Sequence, residues 1–169
     1  VDFKIRLTDL KIWDKVQKLL NNWLAGMPAT RRSDMELIVW SPSFSVGVAK
    51  LDEQHKKIIN MINLLRSKPE VDVRSETVSE LLTRLTRYAS GHFATEEQLL
   101  VEYGYPEVAA HKEAHNAYRM KVLALCQDTM DYNASVPEEL LRFLGDWWVN
   151  HILGADMRYS SFLMERGVT

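Results

Sequence analysis

His111-Lys112-Glu113-Ala114-His115 sets two imidazoles four residues apart. On a helix that spacing places both rings on one face, one turn apart. The same period recurs upstream in His92-Phe93-Ala94-Thr95-Glu96, where the second group is a carboxylate. Downstream, His151-Ile152-Leu153-Gly154-Ala155-Asp156 pairs a histidine with a carboxylate five residues on, and His55 stands alone in Leu51-Asp52-Glu53-Gln54-His55. A lone helical histidine is ordinarily a surface group or a satisfied core group, and either i,i+4 pair alone is a weak signal. Here all five histidines of the chain fall into one pattern, with none left over. That points to a metal site inside a helical bundle, where facing helices supply the ligands.

Apolar periodicity around these motifs predicts four long helices. The first spans about 52–65 and is closed by Ser67-Lys68-Pro69. The second spans about 75–103, with apolar Val78, Leu81, Leu82, Leu85, Tyr88 and Phe93, and leaves through Gly104-Tyr105-Pro106. The third covers about 107–130. Pro137 suits the first position of the fourth, which runs to about 165 and stops at Gly167. Short connections between them predict an all-α fold, an up-down-up-down four-helix bundle with an additional N-terminal helix. That extra helix is read from the stripe Leu10, Ile12, Trp13, Val16, Leu19, Leu20 and Trp23, with Thr8 as cap and Gly26 and Pro28 as the stop. Residues 1–37 are thus an amphipathic helical extension and polar connection, and 38–169 the bundle. Trp40-Ser41-Pro42-Ser43 leads into Ser45-Val46-Gly47-Val48, an extended apolar stretch turning at Gly47.

Composition excludes several classes. The net charge is −2 over 169 residues, which gives no electrostatic case for nucleic acid or an anionic membrane. A single cysteine, Cys126, excludes an internal disulfide and thiolate-rich metal sites. The first residues carry charges rather than a signal-type apolar core, and no stretch approaches the ~18 apolar residues of a membrane span. A cytoplasmic protein is expected, with no nucleic-acid or membrane partner. Met61, Met120, Met157 and Met164 are expected to fill gaps in the core rather than to ligate.

The candidate ligands are His55, His92, Glu96, His111, His115, His151 and Asp156, five imidazoles and two carboxylates. That is too many for one zinc, and calcium or magnesium would want oxygen throughout. Mixed imidazole and carboxylate donors suit iron, manganese or copper. Glu96 and Asp156 are the candidates to bridge a metal pair, and the ligand count with one oxo or hydroxo bridge leaves one metal with an open position. His151 and Asp156, five apart, diverge by ~140° on a regular helix. A local π-bulge would bring both inward, and Gly154 between them would ease it. Glu97, one position around the helix from Glu96, is expected to face away from the metals.

The run Trp40–His55 (WSPSFSVGVAKLDEQH), then HFATEE (His92–Glu97), GYPEVAAHKEAH (Gly104–His115) and WWVNHILGAD (Trp147–Asp156), resembles the hemerythrins, and most of all their bacterial branch. The likeness covers about residues 38–165 and all seven ligand positions. It implies two iron ions in an oxo- or hydroxo-bridged centre that takes up O2 reversibly. It implies that His111, His115 and His151 hold the saturated iron, His55 and His92 the iron with the open site, and Glu96 and Asp156 the bridge. Phe93, Trp148 and Ile152 would then line an apolar O2 pocket. The family more often carries leucine where Trp148 stands, which implies a narrower pocket or gas path and altered rates. Tyr159 matches a position where hemerythrins often carry a tyrosine near the site; core packing explains it equally.

The resulting expectation is an O2 carrier for storage or delivery, not an enzyme, because di-iron oxygenase sites are carboxylate-rich and use Glu-x-x-His. The alternative is a module sensing O2, nitric oxide or redox state through residues 1–37. The apolar face bearing Trp13 and Trp23 would pack on the bundle, on a second copy or on a protein partner.

Overall fold

Helix α1 (Ala49–Arg66) buries Leu51, His55, Ile58, Ile59, Ile62 and Leu65 along one face. Helix α2 (Glu76–Glu102), α3 (Val108–Asp128) and α4 (Val136–Asn150) follow. The fourth leg continues through a π-helical turn (His151–Asp156) into α5 (Met157–Met164). The structure is a computed structural model that describes residues 36–67, 76–128 and 136–169. Among these residues there is no strand, and no helix is long and apolar enough to cross a membrane. Helix α1 packs on α2 and α4, and α3 packs on the same two, so the legs close a four-helix bundle. The expected helix over Leu10–Trp23, with Thr8, Gly26, Trp13 and Trp23, lies outside the described residues, so the division at residue 37 stays an expectation.

Helix ends follow the glycine signals. Gly104 has φ +70°, its amide donates to Val101 O (3.2 Å), and the Tyr105 amide reaches Leu100 O (2.8 Å). This pair of bonds is a Schellman motif, with buried Tyr105 and Leu100 making the accompanying apolar contact. Gly167 (φ +76°) closes α5 in the same way through Met164 O and Leu163 O.

The lead-in to α1 is anchored twice. Near the metal-ligand end, Asp52 accepts from Ser45 Oγ (2.5 Å) and from the Val46 amide (2.8 Å), which seats buried Val46 and Val48. At the other end of α1, Asn63 grips Ile38 through its amide N–H (2.9 Å) and its carbonyl (2.8 Å). Arg66 Nη1 donates to Glu36 O (2.8 Å). The Arg66 side chain also crosses against α4, where a Cβ on Gly145 would stand 1.9 Å from Arg66 Nη2. A glycine is the residue that leaves room for this guanidinium.

Two apolar clusters make up the core. The larger gathers Ile58, Ile62, Leu85, Phe93, Tyr118, Leu144, Trp148 and Ile152 with their neighbours. The smaller holds Val46, Val48, Leu51, Leu100, Tyr105, Tyr159 and Leu163. On each leg the candidate ligands fall between a residue of one cluster and a residue of the other: Leu51 and Ile58 flank His55, and Tyr105 and Tyr118 flank His111 and His115. The polar layer is therefore sealed at both ends by apolar side chains.

One expectation about the core is overturned. Met61 packs against the larger cluster, but Met120, Met157 and Met164 are exposed. The helical period explains this: Met120 stands midway between buried Tyr118 and Val122, Met157 is one past Asp156, and Met164 one past Leu163, so each is turned off the inward face.

Candidate metal centre

Each leg brings its own donors to one chamber. His55 comes from α1, His92 and Glu96 from α2, His111 and His115 from α3, and His151 and Asp156 from the π-helical turn. All seven are buried. On α2 and α3 the four-residue spacing suffices to align each pair. On the fourth leg the backbone widens: the Met157 amide reaches Ile152 O, an i→i+5 bond, and the turn brings His151 and Asp156 to 3.1 Å (Nε2 to Oδ1). The expected bulge is present. Gly154 lies inside this turn without a positive φ, and a Cβ there would meet nothing within 4 Å.

The donors fall into two groups with one member in common. Glu96, His111, His115 and His151 can each offer an atom such that all lie within 4.8 Å of one another, and so can His55, His92 and Glu96. Glu96 Oε2 is 3.2 Å from His111 Nε2, 3.1 Å from His115 Nε2 and 3.7 Å from His92 Nε2. Asp156 spans the same divide, with Oδ2 3.4 Å from His55 Nε2, and Oδ1 3.6 Å from His111 Nε2 and 3.1 Å from His151 Nε2.

Burial controls the charge states. It pushes His92 down to about 3 and His151 down to about 2, so both rings are neutral donors at neutral pH. Burial alone would raise Glu96, but the His111 and His115 rings close beside it hold it well below the carboxylate range. Asp156 goes well above its ordinary value, by burial first and by the neighbouring Glu96 charge second. Two carboxylates this deep and this close call for cations between them. His55 Nε2, His92 Nε2, His111 Nε2, Glu96 Oε2 and both Asp156 oxygens are buried and have no hydrogen-bond partner among the described residues. Buried polar atoms ordinarily find partners. Orphans of this donor chemistry, converging from four legs, fit a pair of imidazole- and carboxylate-preferring metals such as iron.

Three outer contacts were not legible in the spacing. The His115 Nδ1–H donates to Glu97 Oε1 (2.8 Å), and the His92 Nδ1–H donates to Gln54 Oε1 (3.0 Å), the tautomers that leave both Nε2 atoms free to face a metal. Tyr159 OH donates to Glu96 Oε1. Glu97 does point out of the chamber, as its helix position requires, yet it grips a ring of the chamber from behind. Gln54 and Glu97 each adjoin a candidate ligand in sequence, but only the neighbouring helix shows what they reach.

Phe93, Trp148 and Ile152 are fully buried on the larger-cluster side of the donors. The Trp148 ring lies 5.5 Å from His92 and stacks on Phe93 (5.3 Å, 15°), and Trp148 Nε1 donates to Tyr118 OH (3.4 Å). Phe93 also stacks on His115 at 3.9 Å.

A family model described as "Hemerythrin HHE cation binding domain" matches residues 46–163. Bacteriohemerythrin of Stenotrophomonas maltophilia is 34% identical over 126 residues, covering 75% of this chain and 81% of that protein. Bacteriohemerythrin of Methylococcus capsulatus is 34% identical over 134 residues, covering 76% and 98%. Among solved structures, a hemerythrin with a leucine-to-alanine substitution superposes with a TM-score of 0.66 at 34% identity, over 75% of this chain and 97% of that one. With its donor groups arranged on a bundle that also superposes on a solved hemerythrin, this chain belongs to the hemerythrin family.

Proposed function

We propose that this protein binds O2 reversibly at a di-iron centre, with His111, His115 and His151 holding one iron, His55 and His92 the other, and Glu96 and Asp156 spanning both. The observation that carries this reading is the shared carboxylate: two donor groups meet at Glu96, and Asp156 directs one oxygen toward each. When bound, the iron pair supplies two electrons and one open coordination position for O2. The three-histidine group fills more positions around its metal than the two-histidine group does, so the open position falls beside His55 and His92.

The chain's own residues do the rest. Phe93, Trp148 and Ile152 keep that side apolar, which excludes water and anions that would compete for the open position. Trp148 adds bulk close to His92 and so slows entry and exit of small molecules. The Tyr159 hydroxyl holds the outer oxygen of Glu96 and leaves the inner one to face the metals. The reading is a carrier rather than an enzyme with turnover.

The test is an anaerobic-to-aerobic optical titration of the iron-loaded protein with iron counted per chain. Two irons and a visible charge-transfer band that appears with O2 and vanishes on its removal are expected. An iron-loaded protein with no O2-dependent band overturns the reading.

A further inference from the structure

The two sides of the centre differ in what stands behind their histidines. Behind His115 is a carboxylate: Glu97 Oε1 accepts the Nδ1–H at 2.8 Å. Behind His92 is a neutral amide oxygen from Gln54 at 3.0 Å, and His55 Nδ1 has no hydrogen-bond partner among the described residues. Glu97 is itself held in place. Arg119 Nη2 lies 3.5 Å from the same Oε1, and the Arg119 guanidinium sits over the Phe93 ring at 5.1 Å. His115 is fully buried and stacked on the other partner of this arrangement, Phe93. Arg119, Glu97 and His115 therefore form a chain from the protein surface to the three-histidine metal position.

A surface ion pair would account for Glu97 and Arg119 alone, since such pairs form readily and contribute little. It does not account for the third member. The oxygen that Arg119 approaches is the one bonded to a ring that is 0% exposed, while the Glu97 side chain is 21% exposed. A carboxylate in that place does two things that an amide cannot do equally. It fixes the ring's rotation through a charge-assisted bond, and by drawing on the Nδ1 proton it makes Nε2 a stronger donor.

We propose that Glu97 is a positioning residue: its carboxylate orients His115 and strengthens that ligand, so the metal in the three-histidine group is held more tightly and favours its higher oxidation state. The inference rests on the two-metal reading above. Gln54 gives His92 orientation without the added charge, so the tuning is confined to the saturated side and the open side keeps weaker donors.

The experiment compares the parent with Glu97→Gln and Glu97→Ala in three readouts. These are iron retention against a chelator, the midpoint potential of the centre, and the proton resonance of His115 Nδ1–H in the zinc-loaded protein. Glu97→Gln keeps an acceptor and loses the charge; it should retain both metals, raise the potential and move the Nδ1–H resonance upfield. Glu97→Ala should lose the protected resonance and weaken metal retention by roughly 10–100-fold. Gln54→Ala should leave the His115 resonance unmoved. Folding of each variant is read by helical circular dichroism, and Glu97→Gln carries the test if the alanine variant does not fold. If the parent binds two metals and Glu97→Gln matches it in potential and resonance, the inference falls while the two-metal reading stands. A parent that binds no metal pair overturns both.

Discussion

The α3 side of the metal layer and the α1 side use the same residue types to different ends. On the first, His111 and His115 converge with His151, and His115 is backed by a charged carboxylate. On the second, His55 and His92 stand with one neutral amide behind them and Trp148 close by. On the proposed reading, the larger donor set with its charged support is the closed position and the smaller set the open one. The lesson is that ligand count and outer support vary together, and the proposed pocket is set where both are weaker.

That comparison can be broken at its shared point. Glu96→Ala removes the one residue common to both donor groups, and paired metal binding should be lost altogether, as counted by metal analysis after gel filtration. Retention of two metals would mean that Glu96 does not join the groups. His55→Ala cuts only the smaller group, so one metal per chain should remain and O2-dependent colour should vanish. Equal loss from both positions would show that the two sides are not independent.

Trp148→Ala sharpens the comparison from the pocket side. Deleting a fully buried tryptophan should cost ~3–5 kcal/mol in chemical denaturation. The same cavity should let water reach the two-histidine side, so the O2-bound form should bleach faster than in the parent. Tyr159→Phe should cost about 1–3 kcal/mol, because it strands a buried carboxylate oxygen while leaving the two-metal count intact. The smallest effect is expected at Gly154→Ala. With open space around it, the change should stay within about 0.5 kcal/mol in thermal unfolding and keep the π-helical turn.

Much of this was readable in the chain because helical geometry is periodic. His92 with Glu96 and His111 with His115 share faces by spacing alone, and the five-residue step from His151 to Asp156 demanded a widened turn that the structure contains. Gly104 and Gly167 marked helix ends because only a glycine takes their positive φ without strain. What escaped depends on which helices become neighbours. Glu97 and Gln54 occupy positions that look like solvated helix surface until α3 is set against α2, and α2 against α1. The methionines escaped for a different reason: flexible apolar side chains suit a core or a surface equally, and only their angular position decides. Arg66 over Gly145 is likewise a contact between α1 and α4 that no local pattern announces.

The central claim is that one chamber holds two metals unequally. Anomalous diffraction from crystals of the iron-loaded protein measures this directly. Two iron peaks roughly 3.5–4 Å apart are expected, one among His111, His115 and His151 and the other beside His55 and His92, with Glu96 and Asp156 between them. A single peak, or two peaks whose histidines divide otherwise, would contradict it.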